Sequence, residues 1–116
     1  MGKFTINRGT TFSLNITYKK NGVAASLVGC TVRFTIKNAE YDTNTSDTTA
    51  AVKKNITSHV DAVNGLTNVT LVPADTSTVT PGLYYYDLKV MEGDGSVYKI
   101  DEGTVTIDGS PTNRLA

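Results

Sequence analysis

Apolar and polar residues alternate strictly in several short runs of this chain. In the clearest run, residues 84–90, one face of an extended chain carries Tyr84, Tyr86, Leu88 and Val90. The residues between them, Tyr85, Asp87 and Lys89, fall on the other face. A period of two is typical of a half-buried β-strand. Because its apolar face needs a cover, this run predicts one strand of a layered β domain.

The same alternation recurs along the chain, at residues 4–6, 12–18, 30–37, 52–56, 67–72, 97–101 and 105–107. Turn signals separate these runs, among them Asn21-Gly22, Asn64-Gly65 and the segment 92–95. Strands at a spacing of about 8–12 residues predict an all-β fold, an antiparallel sandwich of about seven or eight strands. A small closed barrel is the alternative. Only residues 73–77, which begin with a proline, suit a helical turn.

The alternation also assigns faces to individual residues. Three aromatic rings, those of Phe12, Phe34 and Tyr86, are predicted to form the seam between the two layers. Tyr84 and Tyr98 are expected to pack in the core as well. The run 52–56 is weaker and contains Lys53 and Lys54, which favours the edge of a sheet. Residues 40–49 predict a surface loop, and residues from about 109 an exposed tail.

Length and charge narrow the functional classes. A chain of 116 residues predicts one domain, residues 1–116. Lys and Arg total 11, as do Asp and Glu, so the net charge is zero. A balanced charge disfavours nucleic acid and anionic membranes as partners. No secretory signal is visible in residues 1–6, so we expect synthesis and folding in a cytosol.

Residues that could carry chemistry are few. The single histidine, His59, lies two positions from Asp61, and we interpret them as a polar pair beside a strand end rather than as catalytic groups. Cys30 has apolar neighbours, which favours a buried thiol. One Cys and one His cannot build a standard zinc site. Residues 40–47 offer oxygen ligands but lack the EF-hand pattern. We expect no enzyme, no cofactor and no metal.

Two tyrosines remain as surface candidates. Tyr41 and Tyr85 are predicted to be exposed, where they could stack on sugars or pack against a protein. Asp75 precedes Tyr84 by nine residues, which is similar to the corner where immunoglobulin-type domains anchor a tyrosine. The paired cysteines and core tryptophan of antibody domains are absent.

Several stretches together resemble one family. They are Phe4-Thr5-Ile6 with Arg8-Gly9-Thr10-Thr11-Phe12, then Val32-Arg33-Phe34-Thr35-Ile36-Lys37, then Pro73-Ala74-Asp75-Thr76 and Pro81-Gly82-x-Tyr84-x-Tyr86-Asp87. In this order they look like the immunoglobulin-like domain of tailed-phage structural proteins, with the N-terminal domain of the phage baseplate upper protein as the nearest family. The resemblance runs from Phe4 to about Pro111.

The resemblance implies an immunoglobulin-like sandwich and a non-enzymatic virion component of the tail or baseplate. Such a protein would be made in the host cytoplasm, would contact other virion proteins, and would be present as a homo-oligomer or in multiple copies. The baseplate protein continues into further segments, so an accessory role such as capsid decoration is an alternative. A carbohydrate-binding or host-surface adhesion module is a second alternative, with Tyr41 or Tyr85 as its platform.

Overall fold

The computed structural model describes residues 2–38 and 50–109. Within them the chain forms nine strands and one helical turn: β1 Gly2–Asn7, β2 Phe12–Thr17, β3 Lys19–Lys20, β4 Val23–Ala24, β5 Thr31–Lys37, β6 Val52–Ile56, β7 Leu66–Leu71, α1 Pro73–Thr76, β8 Gly82–Met91 and β9 Val97–Asp108. The prediction of an all-β protein is confirmed, and α1 falls where a helical turn was expected. Three sequence predictions lie outside the described residues. They concern Tyr41, the loop with its oxygen-rich segment at residues 40–49, and the tail beyond residue 109.

Five strands form the larger sheet, in the order β1-β9-β8-β5-β6. The described ladders are antiparallel, as predicted, with one exception that makes the larger sheet mixed: β1 pairs in parallel with β9, from Gly2 opposite Gly103 to Asn7 opposite Asp108. After β1 the chain turns at Gly9 and enters β2, which belongs to the smaller sheet. With no hairpin partner following it, β1 is free to lie alongside the end of the chain's last strand. Among the described strands β6 lies at the sheet edge, which agrees with the prediction made from Lys53 and Lys54.

The smaller sheet pairs β2 with β7 in antiparallel register. A short hairpin, β3–β4, extends beyond β2 and turns at Asn21 and Gly22, whose φ angles are 51° and 79°. Positive φ at both turn residues fits the right-handed twist of the flanking strands and explains the Asn-Gly sequence. Among the described residues the ladders do not close into a barrel, since β1 and β6 remain the edges of the larger sheet.

Side chains from both sheets share one core. Phe34 on β5 and Val69 on β7 are fully buried, and Tyr86 on β8 is nearly so. The Tyr86 ring lies 5.9 Å from the Phe34 ring and 4.6 Å from the Phe4 ring, between centroids. Phe12 is only partly buried but stacks on Phe4 at 5.2 Å. The predicted seam of three rings is therefore confirmed for Phe34 and Tyr86, and Phe12 lies at its margin.

Two predictions about the end of the chain are wrong. Residues 97–108 form one strand of 12 residues rather than two, with a register shift opposite Leu88 and Lys89 that absorbs the break in the pattern. Tyr98 pairs with the buried Val90, so it is on the inner face, yet it is 44% exposed. Within residues 2–38 and 50–109 the smaller sheet has two long strands, too few to cover the whole inner face of a five-stranded sheet.

Candidate functional site

Three connections meet at one end of the molecule, which we call the loop end. They are residues 18–30 between β2 and β5, residues 57–65 between β6 and β7, and residues 92–96 between β8 and β9. The Leu27 amide donates to the Ala62 carbonyl at 2.7 Å, joining the first two connections. The Tyr18 hydroxyl donates to Glu92 Oε2 at 2.9 Å, joining the first and third. The loop end is therefore cross-linked by hydrogen bonds.

Backbone contacts make the first two connections one unit. The Tyr18 amide donates to the Gly65 carbonyl, and the Ala25 amide donates to the Tyr18 carbonyl, both at 2.8 Å. Gly65 itself is buried and has a φ of 76°, a conformation that favours glycine. The Asn64-Gly65 reversal predicted from the sequence is confirmed. The sequence did not predict that this reversal packs against the connection between β2 and β5.

His59 is a cross-link inside the loop end. Its Nε2 lies 2.9 Å from the Cys30 carbonyl oxygen, and its Nδ1 lies 2.9 Å from Thr67 Oγ1. Because a carbonyl only accepts, Nε2 carries the proton, and in the neutral ring Nδ1 accepts from the Thr67 hydroxyl. The Asp61 carboxylate accepts from Asn64 Nδ2 at 2.8 Å. The structure thus gives His59 and Asp61 separate structural partners.

Cys30 lies beneath this cross-link. It is buried, as predicted, and its thiol faces the carbonyl oxygens of Ser26 and Val28. Burial raises the pKa of the thiol above its ordinary value, with the nearby Glu92 carboxylate adding to the effect. A thiol held protonated in this way is a poor nucleophile, which agrees with a packing role.

Replacing His59 with alanine is expected to lower the free energy of unfolding by about 2 kcal/mol, because it leaves the Thr67 hydroxyl buried without its partner. Thr67 is only 2% exposed, so water cannot easily replace the ring. Urea unfolding monitored by circular dichroism measures the change. Thr57→Ala, at an exposed position of the same connection, is the control and should change stability by less than about 0.5 kcal/mol. An unchanged unfolding midpoint in His59→Ala would contradict the cross-link.

Tyr18, Lys20 and Glu92 form an ionic cluster across the loop end. Lys20 Nζ lies 2.5 Å from Glu92 Oε2 and 4.8 Å from the centre of the Tyr98 ring. Burial raises the pKa of Tyr18 to about 12, and its hydrogen bond to Glu92 acts in the same direction. The hydrogen bond from Lys20 lowers the pKa of Glu92, and the same bond raises the pKa of Lys20. All three groups therefore keep their ordinary charges near neutral pH.

The raised pKa of Tyr18 predicts a specific loss of stability in alkali. The folded state holds the phenol proton more tightly than the unfolded state, whose pKa is near 10.0. The resulting stabilisation is complete below pH 10.0 and is lost as the pH rises toward about 12. Tyr18→Phe removes the ionisable group, so its stability should fall less steeply across this interval. Parallel pH profiles of the unfolding midpoint for the two proteins would contradict the burial of Tyr18 and its bond to Glu92.

Four exposed valines lie on the connections of the loop end, and we call them the valine surface: Val23, Val28, Val60 and Val63. Their exposed fractions are 68%, 64%, 72% and 71%. Single exposed apolar residues are common on proteins. Here all four lie on the two connections that the amide hydrogen bonds of Leu27 and Tyr18 join. Exposed apolar side chains on connections that hydrogen bonds fix to each other make the loop end a candidate protein-binding surface.

Of the two predicted surface residues, Tyr85 lies elsewhere, and Tyr41 falls outside the described residues. Tyr85 is half-buried on the outer face of the larger sheet, opposite Lys37 on β5 and Thr104 on β9. It sits near the start of β8, whereas the loop end follows the finish of that strand. The structure therefore does not bring Tyr85 to the valine surface. The valine surface was not predicted from the sequence, although Val60 and Val63 stand out as β-branched residues within a turn-rich segment.

Other kinds of site receive no support from the described part of the chain. In residues 2–38 and 50–109 no three His, Cys, Asp or Glu side chains are grouped so that they could hold a metal ion. No helix in those same ranges is long and apolar enough to span a bilayer. The sequence matches no protein-family model and no curated protein.

Proposed function

We propose that this chain is a non-enzymatic protein-binding module whose loop end docks onto a partner protein. The observation that carries the proposal is the valine surface, held on connections that hydrogen bonds fix to each other. A surface ordered before binding loses little conformational entropy on association. The Tyr18–Lys20–Glu92 cluster would supply part of the polar rim around the apolar centre.

The finer fold that we propose is an immunoglobulin-like sandwich. Its support is the arrangement of two sheets around one core, with binding loops gathered at one end. Tyr84, near the start of β8, donates its hydroxyl to the Thr80 carbonyl four residues upstream, at 2.5 Å. That bond is the defining contact of a tyrosine corner. Asp75 does not take part in it: its carboxylate accepts from the Val72 amide and pairs with Lys54.

The biological setting that we propose is a bacteriophage virion, in its tail or baseplate or as an accessory component. The order of motifs shared with tailed-phage structural proteins supports this setting. The partners would be other virion proteins, contacted by several copies of this chain on each particle. The chain would be made in the host cytoplasm and incorporated during assembly.

Purified particles provide the test. We expect quantitative mass spectrometry to find this polypeptide in several copies per particle. A variant with all four valines of the valine surface changed to serine should fold but be depleted from particles about tenfold or more, since it removes the apolar side chains that the partner would bury. A matched control changes Ser13 and Thr70 to alanine on the outer face of the smaller sheet. Absence of the wild-type chain from particles would refute the virion role, and normal incorporation of the serine variant would refute docking through the loop end.

A carbohydrate-binding or host-surface adhesion module is the second candidate. Tyr85 favours it, because part of its ring is accessible on an open sheet face beside Lys37. A glycan array with the wild-type chain and Tyr85→Ala distinguishes the two functions. Binding that is lost in Tyr85→Ala would support the sugar module, and a silent array would remove it. Capsid decoration and a tail role are distinguished by separating purified particles into capsids and tails. The part that contains the chain identifies its role.

A further inference from the structure

The sequence contains two Asn-Gly pairs, and the fold holds them in different ways. Asn21-Gly22 is the turn of the β3–β4 hairpin, whereas Asn64-Gly65 packs against the connection between β2 and β5. An asparagine followed by glycine is chemically labile, because glycine has no Cβ to shield its backbone nitrogen from the asparagine side chain. The surroundings of each pair then decide whether that nitrogen can reach the Cγ atom of the asparagine.

The Asn64-Gly65 pair is held at both of its reacting groups. The Gly65 amide donates to the Ala62 carbonyl at 3.1 Å, and Asn64 Nδ2 donates to Asp61 Oδ2 at 2.8 Å. Gly65 is buried, and the Ala25 carbonyl oxygen occupies the space where a Cβ would lie. Ring closure at Asn64 would therefore break these bonds and separate the two connections.

The Asn21-Gly22 pair is open by comparison. Both residues are exposed, and a Cβ on Gly22 would meet no atom within 4 Å. Within residues 2–38 and 50–109 neither the Asn21 side chain nor the Gly22 amide has a hydrogen-bond partner. All residues of β3 and β4 are exposed, so opening this tip releases little buried surface and costs little free energy. The bond from the Ala25 amide to the Tyr18 carbonyl closes the base of the hairpin, so the rest of the loop end can stay fixed.

We propose that Asn21 is a site of spontaneous deamidation. The Gly22 backbone nitrogen forms a bond to the Asn21 Cγ atom, and the bond from Cγ to the side-chain nitrogen breaks. That nitrogen leaves as ammonia, which carries away the proton of the Gly22 amide. Water then opens the resulting succinimide ring at one of its two carbonyls and gives aspartate or isoaspartate. Water is the sole co-reactant, so the step needs neither an oxidant nor a cofactor.

The reaction would change the loop end locally. Isoaspartate carries the main chain through the former side chain and lengthens it by a methylene group, so the two-residue turn no longer closes with Lys20 opposite Val23. Either product also places a carboxylate beside Lys20, whose ammonium group pairs with Glu92. Deamidation would therefore loosen the hairpin and weaken the Lys20–Glu92 contact. The site depends neither on docking through the valine surface nor on a virion role.

Incubation of the folded full chain in mildly alkaline buffer tests the site. Peptide mass spectrometry at intervals follows the replacement of the amide NH₂ by OH at each asparagine, and methylation by an isoaspartyl methyltransferase detects isoaspartate. Asn21 should react at least about tenfold faster than Asn64, because reaction at Asn64 requires the packed connections to separate. In urea that unfolds the chain the two rates should become similar, since the fold and not the dipeptide distinguishes them.

Asn21→Gly is the matched control, because glycine suits the positive φ of this turn and has no side chain to react. This variant should give no product in the turn and should keep its hydrogen exchange in residues 19–24 unchanged during the incubation. Amides of the same residues in the reacted wild-type chain should exchange about tenfold faster than before incubation. The proposal is overturned if Asn21 stays unreacted in the folded chain, if Asn64 reacts as fast, or if exchange in residues 19–24 is the same before and after the reaction.

Discussion

Replacing Gly65 with alanine is expected to lower the free energy of unfolding by about 3 kcal/mol or more, because strain and a backbone clash add together. A Cβ at this position would lie 2.3 Å from the Ala25 carbonyl oxygen and 3.0 Å from that of Tyr18. Both obstacles are backbone atoms of the neighbouring connection, which cannot rotate away as a side chain could. Relief of the clash would separate the two connections and break the bond from the Tyr18 amide. Chemical denaturation followed by circular dichroism measures the loss.

Gly22 provides the matched control for this substitution. Its φ of 79° is close to that of Gly65, but a Cβ there meets no atom within 4 Å. Gly22→Ala should therefore cost only the conformational strain, about 1 kcal/mol. Equal losses in the two variants would show that the connections at the loop end do not pack together, and would contradict the site described above.

Replacing Phe34 with alanine is expected to cost about 3–5 kcal/mol, the range observed when a buried phenylalanine is truncated. The Phe34 side chain is fully buried on β5 and packs beside the Tyr86 ring at the centre of the core. The neighbouring strands are fixed by their own ladders, so they can close over the cavity only in part. A loss of this size is a large fraction of the stability of a small domain. Thermal and urea unfolding of the purified variant should both show it.

A substitution at Arg33, the residue before Phe34, is the control for the outer face of the same strand. Its side chain is exposed on the outer face, opposite Lys89 on β8. Arg33→Ala should change stability by less than about 0.5 kcal/mol. If the two variants were equally destabilised, the alternation that assigns Phe34 to the core would be wrong.

The elements that the sequence predicted well are those that depend on local pattern. Strand β5 is an example, because Val32, Phe34 and Ile36 are all buried as the period of two required. The turn at Asn21-Gly22 is another, since its positive φ values follow from the two residues themselves. In both cases a few neighbouring residues determine the backbone conformation or the buried face, so contacts with distant parts of the chain were not needed for the prediction.

What the sequence did not predict depends on distant parts of the chain. The alternation placed Tyr98 on the correct face, but its burial required a covering strand that neither β2 nor β7 supplies. The parallel pairing of β1 with β9 joins opposite ends of the chain, and no local pattern encodes it. Most contacts of the loop end likewise join residues that are far apart in the sequence. The bond between His59 and the Cys30 carbonyl spans 29 positions, and that between Tyr18 and Glu92 spans 74.

Docking through the loop end, as proposed, requires that the loop end be fixed before any partner binds. Three cross-links in different parts of it, those of His59, Tyr18 and Leu27, all hold the connection between β2 and β5. If that connection is ordered, the valine surface is preformed, as the proposed docking requires. If it moves freely, the exposed valines are only scattered apolar residues on the surface.

Native-state amide hydrogen exchange of the free chain tests this most directly. The amides of Tyr18, Ala25, Leu27 and Gly65 donate hydrogen bonds to carbonyls within the loop end at 2.7–3.1 Å. We predict that they exchange as slowly as amides in the centres of β5 and β8, because releasing them requires opening the core of the domain. Exchange of these four amides at the rates of an unstructured peptide, with β5 and β8 still protected, would contradict the account.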